Sequence, residues 1–339
     1  MSLPELRFCP GTLSEGFDTY SQACLRKLFN GKKVSHILPY NPPTLSEEDA
    51  EKFIDNRKRI SISGVQEKVS LILVKNKLRL TEKGEQGTYI LKPIPRDLKN
   101  VGQVPANEHL TMQIARQVYG IHTAENGLIF FKDGAPAYIT KRFDVRDENT
   151  KWGKEDFASL AGRTSENAGA NFKYEYSYEE IAMLIRKYVP ASVIEMEKFF
   201  ALVVFNYLFS NGDAHLKNFA LLQTASGDHI LSPAYDLINT RIHVDDTDFA
   251  LNEGLFKDDY MSQHMRDNGK AGLEDFREFA RRIGVGERRI DPLLSPFVQQ
   301  QPLVEQLIRR SFLDESTKKA YLMHYENKRA QLDLRKEGS

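Results

Sequence analysis

A polar loop in the middle of the chain carries residue types that phosphoryl transfer needs. Within SNGDAHLKNFALL, residues 210–222, Asp213 precedes Asn218 by five positions. Enzymes of the protein-kinase type use this spacing: the aspartate accepts the proton of the attacking hydroxyl, and the asparagine binds magnesium. A second acid, Asp236, follows within SPAYDLINT and suits a second metal-binding carboxylate. The pattern favours Asp213 as a base, with Asn218 and Asp236 as ligands of Mg²⁺.

Two other interpretations of this loop stay open at the level of sequence. A lone D-x-x-x-x-N is common by chance, so the loop could be a buried turn. The second alternative is a metal-dependent hydrolase that uses Asp213, His215 and Asp236, although no H-x-E, H-E-x-x-H or paired Cys/His spacing supports zinc. The H-R-D and D-F-G signatures are absent, because Asn211 and Gly212 precede the first aspartate and D-L replaces D-F at the second.

The N-terminal half offers a second set of candidates. Lys92 lies within YILKP, a predicted strand, where a phosphate-pairing lysine is expected. Glu108 follows in the first turn of a predicted helix and could pair with it. Upstream, SISGVQEKVSL, residues 61–71, is a polar turn whose backbone N–H groups could cradle phosphates. Each feature alone is weak, but their order along the chain is the order that phosphoryl transfer requires.

The elements that must position these residues change character along the chain. Residues 61–145 predict β-β-β-α-β-β, with a hairpin at Lys75-Asn76 and a helix from about Asn107 to Val118 that Asn107 caps. From about Asp156 the pattern becomes helical, apart from a hairpin around Ser226-Gly227-Asp228. The clearest helical segments are 178–188, 194–209, 304–312 and 317–332. A β-rich part followed by a helical part is a kinase-like outline of the α+β class.

The net charge, the cysteine count and the length of the apolar runs disfavour several classes of protein. The chain has 339 residues with 47 basic and 47 acidic side chains, so no bulk field gathers nucleic acid or anionic lipid. Two cysteines, Cys9 and Cys24, are too few for a disulfide framework and fit a reducing compartment. The longest apolar run, residues 199–209, is too short to span a bilayer. With no secretory signal visible, these features predict a cytoplasmic protein without membrane contact.

Several separated motifs together resemble the HipA family of toxin serine/threonine kinases. The resemblance runs from about Ser61 to the end of the chain. It implies a two-lobed protein-kinase-like fold, α+β, with a β-rich N-lobe and a helical C-lobe. It also implies dependence on ATP and Mg²⁺ and a role in a toxin–antitoxin system. In chain order, the motifs are SISGVQEK, ILKP, ITKRFD, EDFASLAG, NFKYEYSYEEIA, GDAHLKNFAL and PAYDL.

The resemblance implies a role for individual residues. Asp213 resembles the catalytic base, His215 and Asn218 belong to the same catalytic loop, and Asn218 with Asp236 would hold the metal. Lys92 resembles the lysine that binds ATP phosphates, and Ser61 matches an autophosphorylated serine. Ser63 gives a second serine in the same S-I-S motif. The remaining expected ATP contacts are Ser63, Gly64, Val65, Gln66, Glu67 and Lys68 in the covering loop, Lys141, Arg142 and Phe143 in the hinge, and Tyr235.

The S-I-S motif and the short stretch before it are similar to the HipT branch of three-component systems, which lacks an N-terminal subdomain of long HipA proteins. This branch implies two partners, a helix-turn-helix antitoxin and a small protein resembling the missing subdomain, with DNA reached only through the antitoxin. The expected substrate is a serine of an aminoacyl-tRNA synthetase, tryptophanyl or glutamyl. The expected domains are an N-terminal extension, 1–60, packing on the N-lobe, the N-lobe, 61–148, and the C-lobe, 149–339.

Two rival interpretations and one minor site accompany this hypothesis. A catalytically silent pseudokinase could bind an antitoxin or a synthetase without turnover. A direct DNA-binding protein is disfavoured by the zero net charge. Cys9 and Cys24 resemble the remnant of a C-x-x-C segment, but two thiols are too few for structural zinc unless His36 or other ligands join them.

Overall fold

The computed structural model describes residues 5–42, 67–95, 98–147 and 149–332. Ser61, Ser63, Gly64, Val65 and Gln66, predicted to cover or modify the nucleotide site, lie outside these ranges. The chain forms two compact units. The first unit comprises Met1–Ile114, Ala124–Lys151 and Glu305–Lys318, and the second comprises Ala115–Thr123, Trp152–Val304 and Lys319–Ser339.

A five-stranded antiparallel sheet forms the frame of the first unit, in the order β2-β1-β3-β5-β4. Residues of β1 alternate between its two faces, so Val69 and Leu71 enter the core while Ile72 stays on the opposite face. The predicted hairpin at Lys75-Asn76 is confirmed, because Val74 pairs with Lys77 across the turn. The strands are β1 (Val69–Val74), β2 (Lys77–Leu80), β3 (Tyr89–Lys92), β4 (Asn126–Phe130) and β5 (Pro136–Lys141).

The segment 5–42 covers one face of this sheet. Its short helix α1 (Gln22–Leu28) begins at Ser21, whose hydroxyl accepts a hydrogen bond from the N–H of Cys24. Tyr89 of β3 donates to the carbonyl of Leu28 at 2.9 Å, which fixes the helix to the sheet. Cys9 and Cys24 are free thiols buried in the resulting core.

The first long helix, α2 (Val104–Gln117), begins three residues earlier than predicted. Asn107 is fully buried inside the helix, so its predicted role as the N-terminal cap is wrong. A 3₁₀ turn over Val101–Gln103 leads directly into the helix, and Pro105 fits its first turn, where no N–H partner is needed. The earlier start carries Glu108 into the second turn.

The second unit is mainly helical around the predicted apolar segment, which forms α6 (Ser192–Leu208). A three-stranded sheet, β6 (Lys154–Asp156), β7 (Ala220–Gln223) and β8 (His229–Leu231), contains the second predicted hairpin. Of the helices described, none is both long and apolar enough to cross a membrane. The other helices of this unit are α3 (Phe157–Leu160), α4 (Ser165–Ala168), α5 (Tyr178–Tyr188), α7 (Gln263–Asn268), α8 (Leu273–Arg282) and α9 (Glu287–Val298). Of the last two helices, α10 (Pro302–Arg310) belongs mostly to the first unit and α11 (Glu315–Leu332) mostly to the second.

Candidate active site

The polar loop that follows α6 is held by the hydroxyl of Thr240. This hydroxyl donates to the carbonyl of Ser210 at 3.0 Å and accepts from the N–H of Gly212 at 2.9 Å. Ser210 itself has a φ of 53°, in the left-handed region that allows the chain to turn sharply out of the helix. Since Thr240 is buried, the loop entrance has one defined conformation.

Gly212 occupies a position at which a side chain has no room. A Cβ atom built on it would lie 2.5 Å from Cγ of Asp246 and 2.5 Å from the carbonyl oxygen of Thr247. The close approach of this backbone segment explains why glycine precedes Asp213, where the common kinase signature has arginine. The same contact brings the carboxylate of Asp246 next to the loop.

Asp213 presents its carboxylate to solvent while one oxygen is anchored. Its side chain is 50% exposed, which leaves room for a substrate hydroxyl. The hydroxyl of Tyr174 donates to Oδ1 of Asp213 at 2.8 Å. Tyr174 is not among the site residues predicted from the sequence, although it lies within the NFKYEYSYEEIA motif. A donor to one carboxylate oxygen orients the other, so this arrangement suits a positioned general base.

His215 is buried beneath this carboxylate and is neutral. Burial, followed by the nearby charge of Lys173, lowers the pKa of His215 to about 3. Its Nε2 atom lies 3.8 Å from Oδ1 of Asp213, but a neutral imidazole at that distance forms no ion pair. The ring instead packs edge-on against Tyr174, with centroids 5.2 Å apart. His215 therefore supports the Tyr174–Asp213 pair from below.

Asn218 and Asp236 are brought together from two separate segments. Nδ2 of Asn218 donates to Oδ2 of Asp236 at 3.5 Å, and Oδ1 of Asn218 accepts from the N–H of His215 at 3.2 Å. Asp236 adopts a left-handed φ of 57°, which a short polar residue tolerates better than a branched one. Asp236 offers hard carboxylate oxygens that fit Mg²⁺, which in nucleotide sites takes its other ligands from phosphates and water. Asn218 turns its nitrogen toward Asp236, so its Oδ1 would join as a metal ligand only after the amide turns over.

The described residues contain no group of three or more His, Cys, Asp or Glu side chains that could hold a metal. Asp213, His215 and Asp236 therefore do not form the ligand set that the hydrolase alternative requires. Cys9 and Cys24, likewise, are not joined by further ligands within these residues. A metal at Asn218 and Asp236 would depend on oxygen ligands that come with a bound molecule.

Tyr235 ties the segment of Asp236 to the polar loop. Its hydroxyl donates to the carbonyl of Lys217 at 2.8 Å, and burial raises its pKa well above the usual range. The ammonium of Lys154 lies 4.5 Å from the centre of its ring, within the range of a cation–π contact. Tyr235 therefore holds Asp236 close to the polar loop that carries Asn218. Its contact with ATP stays a prediction.

In the first unit, Lys92 and Glu108 form the predicted pair. Nζ of Lys92 on β3 lies 2.6 Å from Oε1 of Glu108 on α2, and both side chains are buried. Tyr138 on the neighbouring strand places its ring 5.4 Å from the same ammonium. A buried ion pair costs desolvation free energy that a purely structural contact could avoid, so its presence favours a functional lysine.

The predicted hinge residues follow β5 in the first unit. Nζ of Lys141 donates to Oδ1 of Asn30 at 2.6 Å, and the guanidinium of Arg142 pairs with Asp144 at 2.7 Å. The N–H of Arg142 donates to the carbonyl of Thr88, which extends the β3–β5 pairing by one step. Phe143 comes next, while Glu67 and Lys68 immediately precede β1. Their contacts with ATP stay predictions.

Comparisons with known proteins give one family and several relatives. The profile of the family described as "HipA-like C-terminal domain" matches residues 60–304. A Haemophilus influenzae protein named "Putative kinase" is 27% identical over 97% of this chain and 98% of its own length. The serine/threonine-protein kinase toxin HipA of Shewanella oneidensis is 25% identical over 56% of this chain and 46% of its own length.

A solved structure shares the fold. The structure of the Shewanella oneidensis HipA–HipB–operator DNA complex contains a chain that matches with a TM-score of 0.61 and 20% identity. The match covers 86% of this chain and 71% of that one. The predicted kinase-like α+β fold is confirmed by this likeness.

The buried Lys92–Glu108 pair generates a stability prediction. In a double-mutant cycle, Lys92→Met and Glu108→Gln each lower the free energy of unfolding by about 3–5 kcal/mol, because each leaves a buried group without its 2.6 Å partner. The double variant loses less than the sum of the two. Urea unfolding measures all four proteins.

The exposed pair of Arg289 and Glu197, 2.8 Å apart, is the matched control for this cycle. Its coupling free energy is expected to stay below about 1 kcal/mol, since water screens both charges. A coupling for Lys92 and Glu108 as small as this control would contradict the prediction.

Proposed function

The chain belongs to the family of HipA-like C-terminal domains, and we propose that it is an ATP-dependent serine/threonine protein kinase acting as the toxin of a toxin–antitoxin system. The observation that carries this proposal is the polar loop of the second unit. One short segment there holds an exposed carboxylate, Asp213, and an amide, Asn218, that touches a second carboxylate, Asp236. These are the parts that a kinase needs to accept a proton and to bind a metal.

In the proposed reaction, Asp213 accepts the proton of a substrate serine hydroxyl while Tyr174 holds the opposite carboxylate oxygen. The serine oxygen forms a bond to the γ-phosphorus, the bond to the β,γ-bridging oxygen breaks, and ADP leaves. Magnesium held by Asn218 and Asp236 would neutralise negative charge on the β- and γ-phosphates. In the first unit, Lys92, paired with Glu108, is the proposed phosphate-binding lysine. Positioning and electrostatic stabilisation account for most of the rate.

The finer parts of the proposal concern substrate and partners. We infer a place in the HipT branch from the two serines of the S-I-S motif at Ser61 and Ser63. The proposed substrate is an aminoacyl-tRNA synthetase, tryptophanyl or glutamyl, and its phosphorylation would inhibit translation. A helix-turn-helix antitoxin is the proposed partner, supported by the HipB present in the Shewanella complex. The second proposed partner is a small protein resembling the N-terminal subdomain of long HipA proteins. The proposed compartment is the cytoplasm.

A pseudokinase is the alternative function. It would bind Mg-ATP and an antitoxin but transfer phosphate to no protein. The half-exposed carboxylate of Asp213 argues against this alternative, because a loop retained only for binding has no need of a base open to substrate.

The central prediction is that Asp213→Asn lowers phosphate transfer at least about 100-fold, because the amide cannot accept the proton of the attacking hydroxyl. Purified chain, Mg²⁺ and γ-labelled ATP are incubated with a panel of aminoacyl-tRNA synthetases, and labelled protein is counted. Asp228→Asn, which changes an exposed acid at a hairpin tip of the same unit, should retain activity. Full activity of the Asp213→Asn protein would remove this residue as the base, and Mg-ATP binding by wild type without transfer would favour the pseudokinase.

Tyr174→Phe should lower kcat by about tenfold and leave the KM for ATP nearly unchanged, because it removes a hydrogen bond to a charged oxygen and keeps the ring against His215. Steady-state kinetics with the identified synthetase separate the two constants. Tyr176→Phe, in the same segment, is the matched control and should behave as wild type. A change in KM alone would show that Tyr174 does not position the base.

Regulation by self-phosphorylation is the remaining part of the proposal. A phosphate on Ser61 or Ser63 carries about −1.5 to −2 charges and would repel the phosphates of ATP. Mass spectrometry of protein purified from cells should find this phosphate in wild type and not in Asp213→Asn. The Ser61→Ala/Ser63→Ala variant should lack it while transferring phosphate to the substrate. Equal phosphorylation of wild type and Asp213→Asn would show that another kinase modifies the loop.

A further inference from the structure

A large basic groove lies in the first unit. It has a volume of about 1110 Å³ and is built by three parts of the chain: the residues after α1, the β1–β2 and β2–β3 connections, and the segment after β5. Neither Lys92 nor Glu108 lines it. Its basic lining residues are Lys32, Lys75, Lys141, Arg142, Arg146 and Lys151.

The charge of this groove is one-sided. Among the lining residues that the structure describes, Glu85 is the one acid, and its two oxygens accept from both terminal nitrogens of Arg79 at 2.6 and 2.7 Å. Its negative charge is therefore already compensated. Arg142 is likewise compensated, by Asp144 at 2.7 Å. The lining still holds more basic than acidic side chains, while the chain as a whole is neutral, with 47 basic and 47 acidic residues.

Internal contacts hold the walls of the groove in place. The side-chain amide of Gln86 donates to the carbonyls of Asp147 and Thr150, at 2.9 and 3.4 Å, which joins the β2–β3 connection to the segment after β5. Lys141 reaches Asn30 at 2.6 Å and so joins that segment to the residues after α1. These contacts join the three parts of the chain into one surface.

The exposed lysines of the groove indicate what kind of ligand it could bind. Lys32, Lys75 and Lys151 are exposed and stand on three different parts of the chain. Small-molecule sites usually have volumes of roughly 300–1,000 Å³ and few charges, so a single small anion would leave most of this surface uncovered. A ligand that meets all three lysines must be extended and must carry several separated negative charges.

We propose that this groove binds an extended acidic segment, rich in Asp and Glu, of a partner protein. Single-stranded nucleic acid is disfavoured because binding it uses aromatic stacking platforms, and the aromatic residue in the lining, Tyr89, is buried with its hydroxyl bonded to Leu28. The exposed amide of Asn149 adds a polar donor to a surface suited to carboxylates and peptide carbonyls. The proposal does not require phosphate transfer, and its binding test omits ATP because Lys141 and Arg142, which line the groove, are also predicted ATP contacts.

The test uses a fluorescein-labelled peptide of alternating Asp, Glu and Gly, about twelve residues long, which spans roughly 40 Å when extended. Fluorescence anisotropy measures its binding to the full chain without ATP. We expect saturable binding that weakens at least about tenfold between about 0.05 and 0.3 M salt. The triple variant Lys32→Glu/Lys75→Glu/Lys151→Glu should bind at least about tenfold more weakly than wild type.

The matched control is Lys132→Glu/Lys270→Glu/Lys319→Glu, which makes the same change in net charge at exposed lysines that do not line the groove. It should bind the peptide as wild type does, and thermal unfolding should show that both variants are folded. Three results would overturn the proposal: no binding at low salt, equal weakening by the two triple variants, or tighter binding of an oligothymidine or a DNA duplex that the groove variant abolishes. The last result would make the groove a nucleic-acid site.

Discussion

The buried hydroxyl of Thr240 is the contact on which the candidate site of the second unit depends. A loop that leaves an apolar helix must pair its backbone groups or lose the free energy of burying them unpaired. Thr240 pairs two of them, the carbonyl of Ser210 and the N–H of Gly212, and so sets the direction in which the chain reaches Asp213. Contact with Asp246 and Thr247 then requires glycine at position 212.

A series of short-range contacts after this loop entrance positions the other residues of the candidate site. His215 and Asn218 close a tight turn, and Asn218 meets Asp236 across a contact that Tyr235 supports from the buried side. Tyr174 then orients the carboxylate of Asp213 through Oδ1. Because this side chain is half exposed, it remains accessible to a substrate. The first unit has a buried ion pair between Lys92 and Glu108 in place of an exposed carboxylate. The short distance between the two charges offsets the free energy lost when they are removed from water.

Much of the fold could be predicted because it rests on local patterns. Runs of β-branched and leucine residues identified β1 and β2, turn residues identified both hairpins, and the apolar run identified α6 within two residues at its N-terminal end. The start of α2 was wrong for a physical reason. Asn107 is a good capping residue by type, but the 3₁₀ turn and Pro105 supply an earlier start, and burial then takes Asn107 into the core.

The residue types and their order can be read directly from the amino-acid sequence: a strand lysine, a helix glutamate, then Asp213, Asn218 and Asp236. These follow from spacing and composition, which local chemistry constrains over a few residues. Which groups meet across long separations depends on the packing of the folded chain. Tyr174 reaches Asp213 over 39 residues, His215 loses its charge to burial, and separate segments gather six basic residues around one groove. Such contacts depend on how distant parts of the chain pack, and no local pattern encodes them.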